Sequence, residues 1–341
     1  MTRQPFAHPA AWDSAQFPSK ESFVVELRPR HLDALRSALD VVRSRGRSEQ
    51  DMTLEDFALD AIAADVAAWR DEVHAGRGLI VLRGFPVDEL GVDDVGLMYF
   101  GLGLHFGMPV SQSNMGERLG QVINVGGQDA RERAYRNARE LHLHTDRCDH
   151  VAMLCIRPAH SGGVSGYASA LTVHNRILAE RPELLEPLYA GYYLHRFGEQ
   201  AEGEPPITQV RIPVFSIADG VPNVVYIRGY IDIAEQEGHV ALTPIEREAL
   251  VYFEEVANRP DVRLNFLLES GEASFFNNCF LLHTRTAFED APAPAPGRHL
   301  MRLWLMQPGR PAVEGVRTHK GQGGITPIPG KGTYYVNRPE S

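Results

Sequence analysis

Cysteine is scarce in this sequence. The 341 residues include three cysteines, Cys148, Cys155 and Cys279, and no two of them form a CxxC pair. An odd number of widely spaced cysteines argues against a disulfide framework, so we expect reduced thiols and a cytoplasmic location. Cys148 lies close to the polar motif described below. We interpret it as a small buried apolar residue rather than as a ligand, since this is the common role of a free cysteine.

Long apolar segments and basic clusters are also absent. No run of about 18 apolar residues occurs that would span a membrane. The N-terminal segment lacks the apolar stretch of a signal peptide. The formal net charge is -10, and no basic patch with interleaved aromatic residues is present. The lack of such a patch argues against a nucleic-acid partner, and the net acidity mostly implies solubility. The remaining expectation is a small-molecule partner, with the oligomeric state left open.

The hydrophobic content of 43% is sufficient for a sizeable core. A prior of about 150 residues per domain suggests two domains, but no linker divides the chain. We therefore predict a single domain over residues 1–341, in which 1–20 form a polar lead-in and 309–341 a tail on the surface.

Apolar periodicity predicts helices in the N-terminal part of the chain and short strands after them. Helical spacing covers 30–46 and 54–75, and another helix is expected over about 91–105. The segment 165–189 is expected to carry one or two helices, interrupted at Pro182. Thr243, Pro244 and Glu246 form a capping box that begins another helix. Strand-like segments are 78–86, 121–125, 151–157, 221–232, 262–268, 273–277, 279–283 and 298–308. This order suggests a mixed α/β protein with a mainly β core, of jelly-roll type with flanking helices.

The polar motif LHLHTDRCD, residues 141–149, lies at the end of a predicted strand. Side chains alternate along a strand, so His144 and Asp146 project together while Thr145 points away. His283 on a later strand is the best third ligand. Two histidines and one carboxylate form the ligand set of non-haem Fe(II) oxygenases. A hydrogen-bonded histidine is the alternative interpretation of His144, and His142 is an alternative ligand two residues away.

Four segments carry a resemblance to a known family. They are GLIVLRGFP, HTD with a following SGG turn, NNCFLLHTRTAFED, and the R-x-x-x-R pattern of RHLMRLWL. Together they resemble the taurine catabolism dioxygenase (TauD/TfdA) family of Fe(II)/2-oxoglutarate-dependent oxygenases, over roughly residues 78–308. The resemblance implies a distorted double-stranded β-helix (jelly roll) that uses Fe(II), 2-oxoglutarate and O2.

The resemblance also implies roles for individual residues. His144, Asp146 and His283 match the iron ligands, and Arg298 matches the arginine that binds the distal carboxylate of 2-oxoglutarate. Ser165 matches a position where the family often has a threonine hydroxyl directed at the same carboxylate. Arg302 matches a second arginine near the cosubstrate or the substrate. Asn277 and Asn278 precede the strand of His283 and are expected to support the site.

Elementary chemistry agrees with the arginine assignment. The planar guanidinium of arginine binds a carboxylate through two parallel hydrogen bonds, which lysine cannot do. Arg298, Leu300 and Arg302 alternate onto one face of a strand that is otherwise apolar. Two solvated surface arginines are the alternative. The apolar strand favours buried arginines over surface ones, and a buried arginine without an anion is costly.

The substrate-binding residues are predicted from position alone. Regular alternation would place Glu140 on the face of His144, where it would accept a hydrogen bond from substrate; a salt bridge at the barrel mouth is the alternative. Arg228 follows an apolar run and would bind a substrate anion, unless it is a surface arginine. Arg196, Tyr230, Gln112 and the loop 197–208 are candidates for a lid. For the oxygenase chemistry that the resemblance implies, we expect hydroxylation, desaturation or cyclisation. The net acidity and an internal arginine favour a small carboxylate-bearing or amino-acid-like substrate.

Two other functions compete with this interpretation. A zinc hydrolase could use the same three ligands, but a hydrolytic water needs no arginine clamp for a dicarboxylate. A non-catalytic jelly-roll binding protein could retain the fold, but loss of a ligand would then be expected.

Overall fold

The computed structural model describes residues 3–125, 136–200, 203–292 and 294–329. Two mainly antiparallel sheets face each other, as the predicted jelly roll requires, and helices pack outside them. The strands are β1 (Val24–Glu26), β2 (Leu79–Arg83), β3 (Met108–Pro109), β4 (Leu119–Ile123), β5 (Leu141–His144), β6 (His150–Arg157), β7 (Ser161–Gly162), β8 (Ser165–Ser169), β9 (Phe215–Ala218), β10 (Val221–Val224), β11 (Arg263–Phe266), β12 (Glu272–Asn277), β13 (Leu281–Arg285), β14 (Phe288–Glu289) and β15 (His299–Met306).

Along the chain, most helices lie before β2 or between β8 and β11. They are α1 (Pro29–Ser44), α2 (Ala63–His74), α3 (Val92–Leu104), α4 (Ala170–Glu180), α5 (Leu185–Ala190), α6 (Arg228–Gln236), α7 (Pro244–Ala257) and α8 (Glu314–Lys320). No helix among the described residues is long and apolar enough to cross a membrane.

The larger sheet has the strand order β1-β2-β12-β6-β15-β3, with β4 also paired to β15. Its pairs are antiparallel except for β1 with β2. The smaller sheet has the order β11-β8-β13-β5. In it, β13 pairs antiparallel with both β5 and β8, which places the strands of His144 and His283 side by side.

Alternation along β15 separates the two halves of the core. Leu300 and Trp304 belong to the apolar cluster between the sheets. Met301, Leu303 and Leu305 belong to the cluster under the N-terminal helices. Because residues two apart share a face, Arg302 points between the sheets with Leu300 and Trp304. This confirms that the arginine lies in the barrel interior.

The capping box of α7 is present as predicted. The Thr243 hydroxyl accepts a hydrogen bond from the backbone N–H of Glu246. The Glu246 carboxylate in turn accepts from the backbone N–H of Thr243 over 2.8 Å. The helix therefore begins at Pro244, where the sequence places it.

Three predicted segments differ in detail from the structure. The segment 165–189 carries helices interrupted at Pro182, as predicted, but its first residues, 165–169, form β8, because pairing with β11 and β13 on either side outweighs local preference. The segment 221–232 contains a strand as predicted, but this strand, β10, ends at Val224, and Arg228 begins α6. The regular α-helix expected from residue 54 begins at Ala63, after a 3-10 turn at Asp60–Ile62.

Both terminal segments pack into the body more closely than expected. Trp12 in the lead-in is buried, and its indole N–H donates to the carbonyl of Arg77 over 2.8 Å. In the tail, Lys320 at the end of α8 is buried, and its ammonium lies 2.8 Å from Asp149 Oδ1. The tail is therefore tied to the core by an ion pair and does not only cover the surface.

Candidate metal centre and cosubstrate pocket

His144, Asp146 and His283 converge between the two sheets. One ligand atom from each lies within 4.8 Å of the others. His144 Nε2 is 3.9 Å from Asp146 Oδ1, and His283 Nε2 is 3.7 Å from Asp146 Oδ2. The structure thus brings together three side chains that are separated by up to 139 positions in the chain, as the sequence interpretation requires.

The convergence follows from strand register. His144 and His283 are direct cross-strand partners on β5 and β13, and their ring centroids are 4.1 Å apart. Cross-strand partners point to the same face of a sheet. Asp146 lies just beyond the end of β5. The Thr145 side chain points away from the site, and its hydroxyl accepts a hydrogen bond from the backbone N–H of Tyr226 over 2.9 Å.

A β-bulge in β5 changes the face of the residues before His144. The register shifts between His283 and Arg285, so that three steps along β5 oppose two along β13. Glu140 and His142 therefore do not share the face of His144, contrary to expectation. They line a cavity of about 290 Å³ with Leu143 and Thr284, the strand neighbours of the two inward histidines. A bulge reverses the alternation on one side of it, which excludes His142 as a ligand.

Arg228 lies at the same outer cavity. Its Nε donates to Asp232 Oδ1 over 2.7 Å and its Nη1 to Glu254 Oε2 over 3.2 Å. Two carboxylates therefore already compensate this guanidinium. The predicted roles of Glu140 and Arg228 in substrate binding are not retained, because neither side chain faces the three converging ligands.

Asp146 is held by several hydrogen bonds. The side-chain amide of Asn278 accepts from the Asp146 backbone N–H over 2.8 Å and donates to the Asp146 and Cys148 carbonyls over 2.8 and 2.7 Å. The indole N–H of Trp304 donates to Asp146 Oδ2 over 2.8 Å. Asn278 therefore supports the site as predicted, whereas Trp304 was not singled out. Trp304 lies two residues after Arg302 and therefore on the same inward face of β15, and this spacing could have identified it as a residue of the site.

The tautomer of His144 suits metal binding. Its Nδ1 lies 2.8 Å from the His142 carbonyl, which can only accept, so Nδ1 carries the proton and Nε2 presents a lone pair towards Asp146. Burial lowers the pKa of His144, and burial followed by the proximity of His144 lowers the pKa of His283 to about 3. Both imidazoles are therefore neutral at physiological pH, as metal ligands must be.

A second cluster of possible ligands does not meet this requirement. His195, Glu237 and His239 also lie close together among the described residues. However, His195 Nδ1 accepts a hydrogen bond from the backbone N–H of Phe197 over 3.0 Å. Its proton is therefore on Nε2, 3.3 Å from Glu237 Oε2. A neutral His195 has no lone pair left for a metal, so the donor set fits only the first cluster.

Arg302 contacts the carboxylate of the triad. Its Nη1 is 3.5 Å from Asp146 Oδ2, and its Nε donates to Gln112 Oε1 over 2.7 Å. The Gln112 amide also donates to the Arg302 carbonyl over 2.8 Å. Gln112, a predicted lid residue, is instead fully buried behind Arg302 and fixes its orientation.

Arg298 and Ser165 lie farther along the same interior. Arg298 is 5% exposed, and burial lowers its pKa to about 10. Its Nη1 has no hydrogen-bond partner within the part of the chain that the structure describes. Ser165 on β8 is the cross-strand partner of Arg285, two residues after His283, so it faces the interior as predicted. Sequence reasoning did not single out Arg285, although its spacing from His283 places it on the same face.

The remaining candidates are Cys148 and the predicted lid segment 197–208. Cys148 is buried, its thiol donates to the His150 carbonyl, and burial raises its pKa well above the usual range. It is therefore an inert apolar residue, as interpreted. In the lid candidate 197–208, the structure describes 197–200 and 203–208, and Phe197 stacks on Tyr230 with centroids 5.6 Å apart.

The donor set fits Fe(II), because two neutral imidazoles and a carboxylate bind it while leaving positions for other ligands. The buried Arg298 with an unpartnered Nη1 fits an anionic cosubstrate. The residues present thus agree with the cofactors that the sequence resemblance implies.

Comparisons with known proteins agree with this geometry. The model of the family described as "Taurine catabolism dioxygenase TauD, TfdA family" matches residues 44–304. FR-33289 synthase from Streptomyces rubellomurinus (strain ATCC 31215) is 28% identical over 327 residues, which cover 94% of this chain and 96% of the relative.

Solved structures with the same fold include two oxygenases. Asparagine oxygenase in complex with Fe(II), 2S,3S-3-hydroxyasparagine and succinate has a TM-score of 0.62 and 17% identity, covering 83% of this chain and 93% of that one. The non-heme iron oxygenase OrfP in complex with Fe and alpha-ketoglutaric acid has a TM-score of 0.62 and 13% identity, covering 83% and 94%. With its family model matching most of its length, the chain belongs to the taurine catabolism dioxygenase TauD, TfdA family and is an Fe(II)/2-oxoglutarate-dependent oxygenase that uses O2.

Proposed function

We propose that this oxygenase couples the oxidative decarboxylation of 2-oxoglutarate to hydroxylation, desaturation or cyclisation of a small amino-acid-like or other carboxylate-bearing molecule. In this proposal His144, Asp146 and His283 hold Fe(II), and Arg298 binds the distal carboxylate of 2-oxoglutarate with help from Ser165. Iron, 2-oxoglutarate and O2 together supply an oxidant able to break a C–H bond.

The observation that carries the proposal is the convergence of the three ligands beside buried arginines. His144 and His283 present neutral imidazoles, and Asp146 supplies a carboxylate that Trp304 and Asn278 hold in place. A zinc hydrolase needs no buried arginine to bind a dicarboxylate beside the triad, and a non-catalytic protein does not need all three metal ligands. With the family assignment, neither alternative is retained.

The chain's own residues orient the reactants. Arginine binds a carboxylate with a planar fork, so Arg298 would set the direction from which 2-oxoglutarate approaches the triad. Arg302 lies beside Asp146 and is held by Gln112, which makes it the best placed cation for a substrate carboxylate. The surrounding apolar residues of β12 and β15 exclude water and strengthen these charge interactions.

The substrate class rests on this cation and on the structural neighbours. The neighbours' complexes contain 3-hydroxyasparagine and (3S)-hydroxy-L-Arg, which are hydroxylated amino acids bound to those proteins. These supports favour an amino-acid-like substrate for this chain, and the position of oxidation follows from how the substrate sits above the triad.

The test is anaerobic optical titration of the purified protein with Fe(II) and 2-oxoglutarate. Chelation of both at one site produces a weak visible charge-transfer band. We expect the band in the wild type, its loss in Asp146→Ala, and a much higher 2-oxoglutarate requirement in Arg298→Ala. The absence of a band from iron-loaded wild type would refute the proposal. Amino acids that perturb the band would then be tested for substrate-dependent formation of succinate.

A further inference from the structure

Arg285 is a buried cation that the proposed function does not yet use. It lies on β13 two residues after His283, and its cross-strand partner on β8 is Ser165. Its side chain therefore projects into the same interior as the metal ligand. It is 5% exposed, as is Arg298.

Only one end of the Arg285 guanidinium is occupied among the described residues. Its Nη2 donates to the carbonyls of Asn137, at 2.9 Å, and Arg139. Its Nε and Nη1 are buried and have no partner there, and the same holds for Arg298 Nη1. Donors left unpaired in this way cost free energy, because burial removes their hydrogen bonds with water.

Neither arginine has a salt-bridge partner among the described residues, although the Asp290 carboxylate, which accepts a hydrogen bond from the backbone N–H of Arg298 over 2.6 Å, interacts electrostatically with Arg298. No carboxylate in the described part of the chain lies within salt-bridge distance of either guanidinium. Both guanidinium carbons lie close to the Phe288 ring, at 4.8 Å for Arg285 and 4.9 Å for Arg298. Two like charges in a buried pocket need an anion between or beside them.

We infer that Arg285 and Arg298 together form the site for the distal carboxylate of 2-oxoglutarate, so that this chain uses two arginines where the sequence pattern suggested one. The inference rests on the proposed function. Arg298 Nη1 and the free Nε and Nη1 of Arg285 supply the donors. The carbonyl bonds of Arg285 also tie this pocket to the segment that leads into β5 and His144.

The test compares two 2-oxo acids that differ only at the far end. Dissociation constants for 2-oxoglutarate and for 2-oxobutyrate are measured anaerobically on Fe(II)-loaded wild type, Arg285→Gln and Arg285→Lys. A charged hydrogen bond lost in a buried site weakens binding by about 10- to 100-fold. We expect a loss of that size for 2-oxoglutarate in Arg285→Gln and an unchanged constant for 2-oxobutyrate, which lacks the distal carboxylate. Arg285→Lys, which retains the charge, should give an intermediate loss.

Arg263→Gln is the matched control. Arg263 belongs to the same sheet, but it lies at the outer cavity, where its Nη1 donates to Asn258. This variant should bind both acids as the wild type does. If Arg285→Gln weakened both acids equally, or neither, Arg285 would have only a structural role and the inference would be wrong.

The two proposals fail in different ways. If iron-loaded wild type binds neither acid, the proposed function fails. If the wild type binds 2-oxoglutarate and Arg285→Gln binds it equally well, only the present inference fails. Should neither Arg285 variant fold, Arg298→Gln gives a second measurement. Because Arg285 is still in place, this variant should keep a measurable preference for 2-oxoglutarate over 2-oxobutyrate, and equal dissociation constants for the two acids would overturn the two-arginine site.

Discussion

Replacing Trp304 with phenylalanine should weaken metal binding while leaving the fold intact. Trp304 is 1% exposed, and its indole N–H donates to Asp146 Oδ2 over 2.8 Å. Phenylalanine retains an aromatic ring in the cluster between the sheets but provides no donor. The carboxylate then loses the contact that fixes its orientation towards His144 and His283.

The size of the effect follows from the type of bond. A hydrogen bond to a charged group contributes about 1.5–3 kcal/mol, because the buried acceptor is left unsatisfied when the donor is removed. This corresponds to roughly a 10- to 100-fold loss of Fe(II) affinity, the range typical of residues that hold a metal ligand in place. Arg302, at 3.5 Å from the same oxygen, remains and should keep the loss within this range.

The measurement is an anaerobic titration of the apoprotein with Fe(II), together with a thermal melt. Trp12→Phe is the matched control, since Trp12 is equally buried and donates its indole N–H to the Arg77 carbonyl over 2.8 Å. Both variants lose a buried donor and should lose similar stability. Only Trp304→Phe should lose iron affinity.

Equal iron affinity in the two variants would refute the reasoning. It would mean that Asp146 keeps its orientation without the indole, through Asn278 and the backbone alone. A large loss of affinity in Trp12→Phe would instead show that metal binding responds to general destabilisation and not to this hydrogen bond.

Three further predictions concern stability. Lys320→Met should lower the free energy of unfolding by about 3–5 kcal/mol, because Asp149 is left as a buried charge without its partner. Denaturant titration measures this free energy. Arg317→Met, on the exposed face of α8, is the control and should change the free energy of unfolding little. Burial alone would raise the pKa of Asp149, but the charge and hydrogen bond of Lys320, the electrostatic effect of His150 and the hydrogen bond from the Gln307 backbone together outweigh it and hold that pKa at about 2. The pair therefore stabilises the fold above the unfolded pKa, and this contribution is lost as pH falls towards 2. The stability difference between wild type and Lys320→Met should shrink over that range, and a constant difference would contradict the ion-pair argument. Thr243→Ala should cost about 1 kcal/mol through loss of the α7 cap, and Thr318→Ala, at an exposed position on α8, is its control.

Strand alternation was sufficient to predict the central features of the site. It placed His144 and Asp146 together and put Arg302 on the inward face of β15. The Thr243 cap was likewise readable, since a capping box involves residues only three positions apart. These features depend on neighbours along the chain, so the sequence contains the information directly. The extent of the domain and the cytoplasmic location remain predictions.

Other features depend on contacts between distant segments. The bulge that turns Glu140 and His142 outward arises from the pairing of β5 with β13, and no local pattern marks it. The strand β8 forms from residues of weak preference because β11 and β13 offer hydrogen bonds on both sides. Long-range pairing of this kind overrides local propensity.

The sequence by itself determined which residue types were available and which of them shared a strand face, because a period of two is a local property of extended chain. Only the tertiary structure decided which of them lacked a partner. Arg228 forms salt bridges with two carboxylates. Arg285 and Arg298, in contrast, lie together in an interior where no carboxylate of the described residues is within salt-bridge distance. Charge compensation depends on through-space distance and burial. For this reason the functional difference among these arginines appears only when the chain is folded.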